Sequence, residues 1–395
     1  MTFTKKKISP RVLGVIDIGT YKIRVAICKF HNQEVELLGY GEKRQDTDEI
    51  SMGNFSNLKS ICENISLAIK KAETDAQVSI KDIIINIPFE EIFFHTNKIN
   101  HVREERDNPI QKKELKSIIK SIESQSLKKH YRHITQTSGY KAKDLRLIIG
   151  GISEIKIKKE KISNLLHTNP AEINFSLLNV FIPEHKYEII QTIGRVLDKK
   201  IKKIIPCEFA ITKLFKKKQE VVIIDLGSNQ TSIIVKKDNK ILGVQKHAFG
   251  INTLIKTIRQ NYNRTKIEII QTIDQDIYEL EKIEFLEIFK DILIISLEEI
   301  LGEDICPSDF FMIGGGSNTF IRNYFSKANL NKNHLKIVKD ISFITPKIEY
   351  FQNIDSSKSN LNIYAMMMST LSFMKHEHDP IEESLREILL EINKD

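Results

Sequence analysis

The chain carries one short motif twice. Gly14-Val-Ile-Asp17-Ile-Gly19-Thr20 leads into Ile23-Arg-Val-Ala-Ile27, and Val221-Val-Ile-Ile-Asp225-Leu-Gly227-Ser228 leads into Ser232-Ile-Ile-Val235. In each copy an apolar run ends in Asp-x-Gly and a second apolar run follows at once. Short apolar runs bounded by turn residues read as buried strands, so each copy predicts a hairpin with Asp and Gly at its tip. One copy says little, because Asp and Gly are ordinary turn residues. Two copies 208 positions apart predict a duplicated half-domain whose facing tips hold a polyphosphate and its metal ion. Glycine lets the backbone approach a phosphate and offers bare N–H donors. Aspartate supplies hard oxygen, which suits Mg²⁺ directly or through its waters. Thr20, Lys22, Ser228 and Thr231 add hydroxyls and a positive charge beside the tips.

A third element points the same way. Phe310-Phe-Met-Ile313-Gly314-Gly315-Gly316-Ser317 is an apolar strand running into glycines, and a helix-like Thr319–Phe325 follows. Glycines at a strand end allow a nucleobase or sugar to lie against bare backbone. Alone, the triplet reads as a flexible turn. After two Asp-x-Gly hairpins it reads as the nucleoside face of the same site.

Asp-x-Gly-Thr, a second Asp-x-Gly and a strand ending in Gly-Gly-Gly-Ser resemble the actin, Hsp70 and sugar-kinase ATPase superfamily. Within it the chain resembles the bacterial cell-division family FtsA. Asp17-Ile-Gly-Thr-Tyr21-Lys22 carries the likeness most closely, with Leu38-Gly-Tyr-Gly41, Met52-Gly53, Phe249-Gly250-Ile-Asn252, Ile267-Glu268-Ile-Ile-Gln271 and Asn362-Ile-Tyr364-Ala365 in support. The resemblance implies an α/β actin-like ATPase fold: two duplicated lobes, a small inserted α/β subdomain and no actin-type second subdomain. It implies ATP and Mg²⁺ as cofactors. Asp17 and Asp225 would hold Mg²⁺ through water. Gly19, Thr20, Tyr21, Lys22, Gly227, Ser228, Asn229 and Thr231 would surround the phosphates. Gly314, Gly315, Gly316 and Ser317 would face the adenosine, and Glu268 would reach the ribose.

The chain also departs from the family pattern. The second tip, Asp225-Leu-Gly227-Ser228-Asn229-Gln230-Thr231, has Ser and Asn where the family usually has glycines; Gln271 replaces a lysine, and Cys207 stands where many relatives have an acid. Glu208, next to it, is the one candidate base, and a solvated loop residue is the equal alternative. No base is securely placed to activate water, so ATP binding is expected and efficient hydrolysis is not.

The resemblance implies a protein that self-associates or polymerises with ATP. It would link the FtsZ ring, through the FtsZ C-terminal tail, to the membrane or to other division proteins, from the cytoplasm or the inner face of the membrane at the division site. A scaffold of type IV pilus assembly resembling PilM, gripping a short peptide of an inner-membrane partner, is the alternative. A metabolic kinase or phosphatase of the superfamily is a third reading; the weak second tip and the lack of an obvious catalytic Asp or His argue against it.

Composition limits the partners. The net charge is +8, but the runs Lys156–Lys161, Lys199–Lys203 and Lys216–Lys218 lack interleaved aromatics, so they read as solvated surface and no nucleic-acid partner is expected. The four cysteines are scattered without a metal-ligand spacing, which suits reduced thiols. No apolar run approaches the roughly 18 residues of a membrane span.

Periodicity orders the chain into a first lobe over 1–85 that returns at 165–205 and 335–375, an inserted subdomain over 86–165, a second lobe over 206–250 and 302–334, and a small helical subdomain over 251–301. The last segment, 376–395, holds a helix with Ile381, Leu385, Ile388, Leu389 and Ile392 on one face. That helix is acidic, which argues for docking on protein rather than on anionic lipid.

Overall fold

The computed structural model describes residues 10–31, 34–45, 50–51, 54–104, 107–162, 164–215, 219–238, 240–328, 330, 341–345 and 360–375. Met52-Gly53, Lys216–Lys218 and the C-terminal helix expected within 376–395 lie outside them.

The first lobe opens with a meander, β1 (Arg11–Ile18), β2 (Lys22–His31) and β3 (Glu34–Arg44), each strand antiparallel to the next. Val15 and Ile16, on opposite faces of β1, are both fully buried, which is why β1 reads as a continuous apolar run rather than an alternating one. A short ribbon, β4 (Ile50–Ser51) with β5 (Asn54–Phe55), precedes α1 (Leu58–Ala76). The Asn57 side chain caps α1 by accepting from the Ser60 N–H, and Gln77 closes it in the left-handed conformation. Glycine is required where α1 crosses β3: a Cβ on Gly39 or Gly41 would meet α1 backbone atoms at 2.4 and 2.3 Å. Strand β6 (Asp82–Ile85) then lies parallel to β1.

Next comes a separate antiparallel sheet. It is built from β7 (Phe93–Val102), then α2 (Lys112–Ser138), β8 (Leu145–Ile157), β9 (Glu160–Lys161) and β10 (Glu172–Pro183), in the order β7-β10-β8-β9. Helix α2 lays a stripe of Leu115, Ile118, Ile119 and Ile122 against Ile155, Ile173 and Phe175 of the sheet. This sheet reaches Pro183, past residue 165. The apolar run of β10 gave no sign of which sheet it joins; pairing with both β7 and β8 places it here.

The chain returns through α3 (Glu184–Val196) to β11 (Lys200–Ile204), parallel to β6, and then forms α4 (Cys207–Ile211). The second lobe repeats the meander as β12 (Val221–Leu226), β13 (Thr231–Lys237) and β14 (Lys240–His247). Helices α5 (Ile251–Tyr262), α6 (Lys266–Thr272) and α7 (Glu279–Leu301) follow, then β15 (Asp309–Ile313), α8 (Thr319–Phe325), β16 (Ser342–Phe343) and α9 (Leu361–Lys375).

The two large sheets have the same topology. One runs β11-β6-β1-β2-β3 and the other β16-β15-β12-β13-β14, each with three antiparallel strands and two added in parallel. The largest core cluster joins one face of each sheet through α4 and α9, for example Ile16, Ile223, Phe311, Phe209 and Met366. Phe209 stacks on Phe373 at 5.8 Å between ring centres, tying α4 to α9. Lys156 and Lys161 pair with Glu154, and Lys202 with Asp82, so these parts of the basic runs are surface ion pairs. Among the described residues no helix is long and apolar enough to cross a membrane.

Candidate functional site

The two hairpin tips share one backbone geometry. In the first, the Gly19 N–H donates to the Lys22 carbonyl at 3.1 Å; in the second, the Gly227 N–H donates to the Gln230 carbonyl at 2.8 Å. Strand register sets Arg24 directly opposite Asp17 and Ser232 directly opposite Asp225. Between the tips lies a cleft of about 390 Å³, within the size range of small-ligand pockets.

Of the residues expected at the site, Asp17, Gly19, Thr20, Tyr21, Lys22, Glu208, Asp225, Gly227, Ser228, Gly314 and Gly315 line this cleft. Five do not. Thr231 is fully buried and its hydroxyl donates to the Phe249 carbonyl, because strand alternation turns it into the second lobe. The Asn229 side chain accepts from Asn252 at the start of α5. Glu268 caps its own helix, accepting from the Thr265 N–H and hydroxyl. A Cβ on Gly316 would meet the Leu226 side chain rather than the cleft, and Ser317 is buried beneath the triplet.

The glycine turn is built for close approach. Gly314 has φ +90°, and a Cβ there would lie 2.3 Å from the Leu226 carbonyl oxygen and 2.6 Å from an Asp225 carboxylate oxygen. Gly315 faces open space.

The two acids differ in their partners. Asp17 is only 2% exposed. One of its oxygens accepts from the Asn86 amide at 2.6 Å and from the Cys207 thiol at 3.6 Å; the other takes the Arg24 guanidinium at 3.2 Å. Arg24 in turn donates to Asn360, one residue before α9. Burial pushes the Asp17 carboxyl up, and Arg24, Cys207 and Asn86 pull it back. Burial also holds the Cys207 thiol well above its ordinary range, so it stays a donor. Asp225 accepts from Asn362 at 2.9 Å, and burial pushes its carboxyl up to about 6. Glu208 is buried; one oxygen accepts from Lys246 at 2.8 Å and from the Ser232 hydroxyl at 3.0 Å, and the other has no partner.

Arg24, Asn86, Cys207, Gln230, Ser232, Lys246 and Asn362 therefore belong to the cleft without having been assigned to it. The signal for Arg24 was available: a lone charge in the apolar strand Ile23–Ile27, in register with Asp17. Lys246 and Asn86 had none, since they arrive from other strands.

A nucleotide fits this set. Gly315 is bare, and Gln230 offers a buried amide nitrogen without a partner. A Mg²⁺ held through water at Asp17 does not fit. Both oxygens of that carboxylate are bonded and it has almost no exposed surface. Among the described residues no three His, Cys, Asp or Glu side chains converge as a metal-binding group. At the mouth, the Tyr21 ring sits between Arg44, 4.7 Å away, and Lys266 of α6, 5.7 Å away.

No family model and no curated protein matches the chain. Solved structures do. It is similar to a chain of the "PilM-PilN type IV pilus biogenesis complex" at 12% identity and TM-score 0.63, over 90% of this chain and 97% of that one. It also matches the ethanolamine utilization protein EutJ of Carboxydothermus hydrogenoformans at 12% identity (TM-score 0.48, 91% and 90% covered) and ADP-bound MreB5 of Spiroplasma citri at 10% (TM-score 0.47, 93% and 99%). At such identities the likeness concerns the fold: this chain has the actin-like ATPase fold.

Proposed function

We propose that this chain is a nucleotide-binding assembly scaffold, in which ATP stabilises a closed arrangement of the two lobes and is not turned over efficiently. The observation that carries this reading is that two of the three cleft acids are paired with cations inside the protein. Asp17 is held by Arg24, and Glu208 by Lys246 and Ser232. A carboxylate committed to a cation on one oxygen is a poorer general base than a free one. Gly19, Thr20, Lys22, Gly227, Ser228 and Gln230 would meet the phosphates, and Gly314 and Gly315 the nucleoside. Because the tips belong to different sheets, a ligand touching both favours the closed state by its differential affinity.

The partner we favour is a peptide of a pilus-assembly protein. The similarity to a chain of the PilM–PilN complex spans nearly the whole of that chain, and the inserted sheet of β7 to β10 offers a surface beside the first lobe. A division scaffold of the FtsA kind, binding the FtsZ tail and polymerising with ATP, is the second reading; Asp17-Ile-Gly-Thr-Tyr-Lys22 favours it. Sedimentation with and without Mg-ATP, together with pull-down by peptides of both kinds, tests them. Capture by the pilus peptide without pelleting supports the scaffold. ATP-dependent filaments that bind the FtsZ tail replace it with the division reading. Rapid turnover of ATP overturns the scaffold reading altogether.

A further inference from the structure

We propose that Arg24 takes the place of a divalent cation beside Asp17, so that anionic ligands enter this cleft without a metal at that acid. The register of β1 and β2 forces the pairing: Arg24 is the cross-strand partner of Asp17, and its guanidinium lies 3.2 Å from the carboxylate. The side chain is itself buried and is fixed from behind by Asn360. The other Asp17 oxygen is filled by Asn86 and Cys207. A hydrated Mg²⁺ needs carboxylate oxygens that face its water shell and keeps several of those waters; Asp17 borders the cleft but is 2% exposed, with partners on both oxygens.

The duplication supplies an internal control. At the equivalent place in the second lobe the cross-strand residue is Ser232, and its hydroxyl goes to Glu208. Asp225 has no cation within ion-pair distance among the described residues and keeps only Asn362. The charge that a ligand-bound metal would bring to the first tip is thus built into the chain, with Lys246 doing the same for Glu208. An arginine is always charged and cannot be chelated away, so the first tip needs no divalent ion at Asp17.

Two measurements test this on the full chain, and only the first rests on the nucleotide reading. In the first, a fluorescent ATP analogue is titrated in Mg²⁺ and again in EDTA, into wild type and into Asp225→Asn, which removes the other cleft acid open to a metal. In Asp225→Asn, affinities within about twofold of each other are expected, and a loss of about tenfold or more in EDTA overturns the proposal. In the second, Mn²⁺ alone is titrated by electron paramagnetic resonance into wild type and into the double variant Asp17→Asn/Arg24→Met, which removes both charges together. Equal binding is expected; Mn²⁺ held about tenfold tighter by wild type overturns the proposal. If the analogue does not bind under either condition, the nucleotide reading fails and the Mn²⁺ comparison decides the inference alone.

Discussion

The two hairpin tips have the same turn, the same strand pairing and an aspartate at the same place, yet opposite electrostatics. Asp17 faces an arginine across its hairpin and Asp225 faces a serine. The first acid is neutralised by the protein, and the second is left to a ligand or a proton. A shared backbone frame therefore does not give a shared chemistry: the residue one strand away decides whether a buried carboxylate is part of the structure or part of the site.

The harshest way to break the comparison is Arg24→Met. It leaves Asp17 buried without its partner, which should cost about 3–5 kcal/mol, whereas the double variant Asp17→Asn/Arg24→Met should recover most of that loss. Denaturant unfolding reads both, and equal losses in the single and double variants would show that the unpaired Asp17 charge is not what Arg24→Met costs. Next comes the glycine turn. Gly314→Ala puts a methyl against the Leu226 carbonyl at a left-handed φ and should cost about 2–3 kcal/mol. Gly315→Ala meets nothing and should change stability by no more than about 0.5 kcal/mol, while its methyl weakens nucleotide binding measured by calorimetry.

A pH titration sharpens the contrast further. The folded value for Asp225, about 6, lies above the ordinary 3.8. Its contribution is therefore present below 3.8 and lost as the pH climbs through about 6. Wild type should lose about 1–2 kcal/mol relative to Asp225→Asn across that window, allowing for the partial exposure of Asp225. Melting both proteins across the window checks it; parallel curves would remove Asp225 as the titrating group. A small effect is also expected at Tyr21, which only the first tip carries. Tyr21→Ala removes two exposed cation–π contacts and should lower stability by about 0.5–1 kcal/mol, measured by thermal melting.

Much of this was legible in the chain. The duplicated Asp-x-Gly runs foretold two hairpins. Local pattern suffices there, because a strand or helix writes its own period into its own residues. It gave no sign of the local partners of Thr231 and Glu268. Both sit at sensible distances from a tip in sequence, but strand alternation turns one inward, and the other is bound by its own capping box. It also failed for β10, whose apolar run fits either neighbouring sheet.

The sequence by itself determined the repeated hairpins, the bare glycine turn and the pairing of Asp17 with Arg24, since a tight turn fixes which residues face each other across two strands. Only the tertiary structure decided that Asn86, Cys207, Lys246 and Asn362 come to the same cleft. They stand on four separate segments, and which of those segments meet is settled by how two sheets pack around α4 and α9, not by any period a single segment carries.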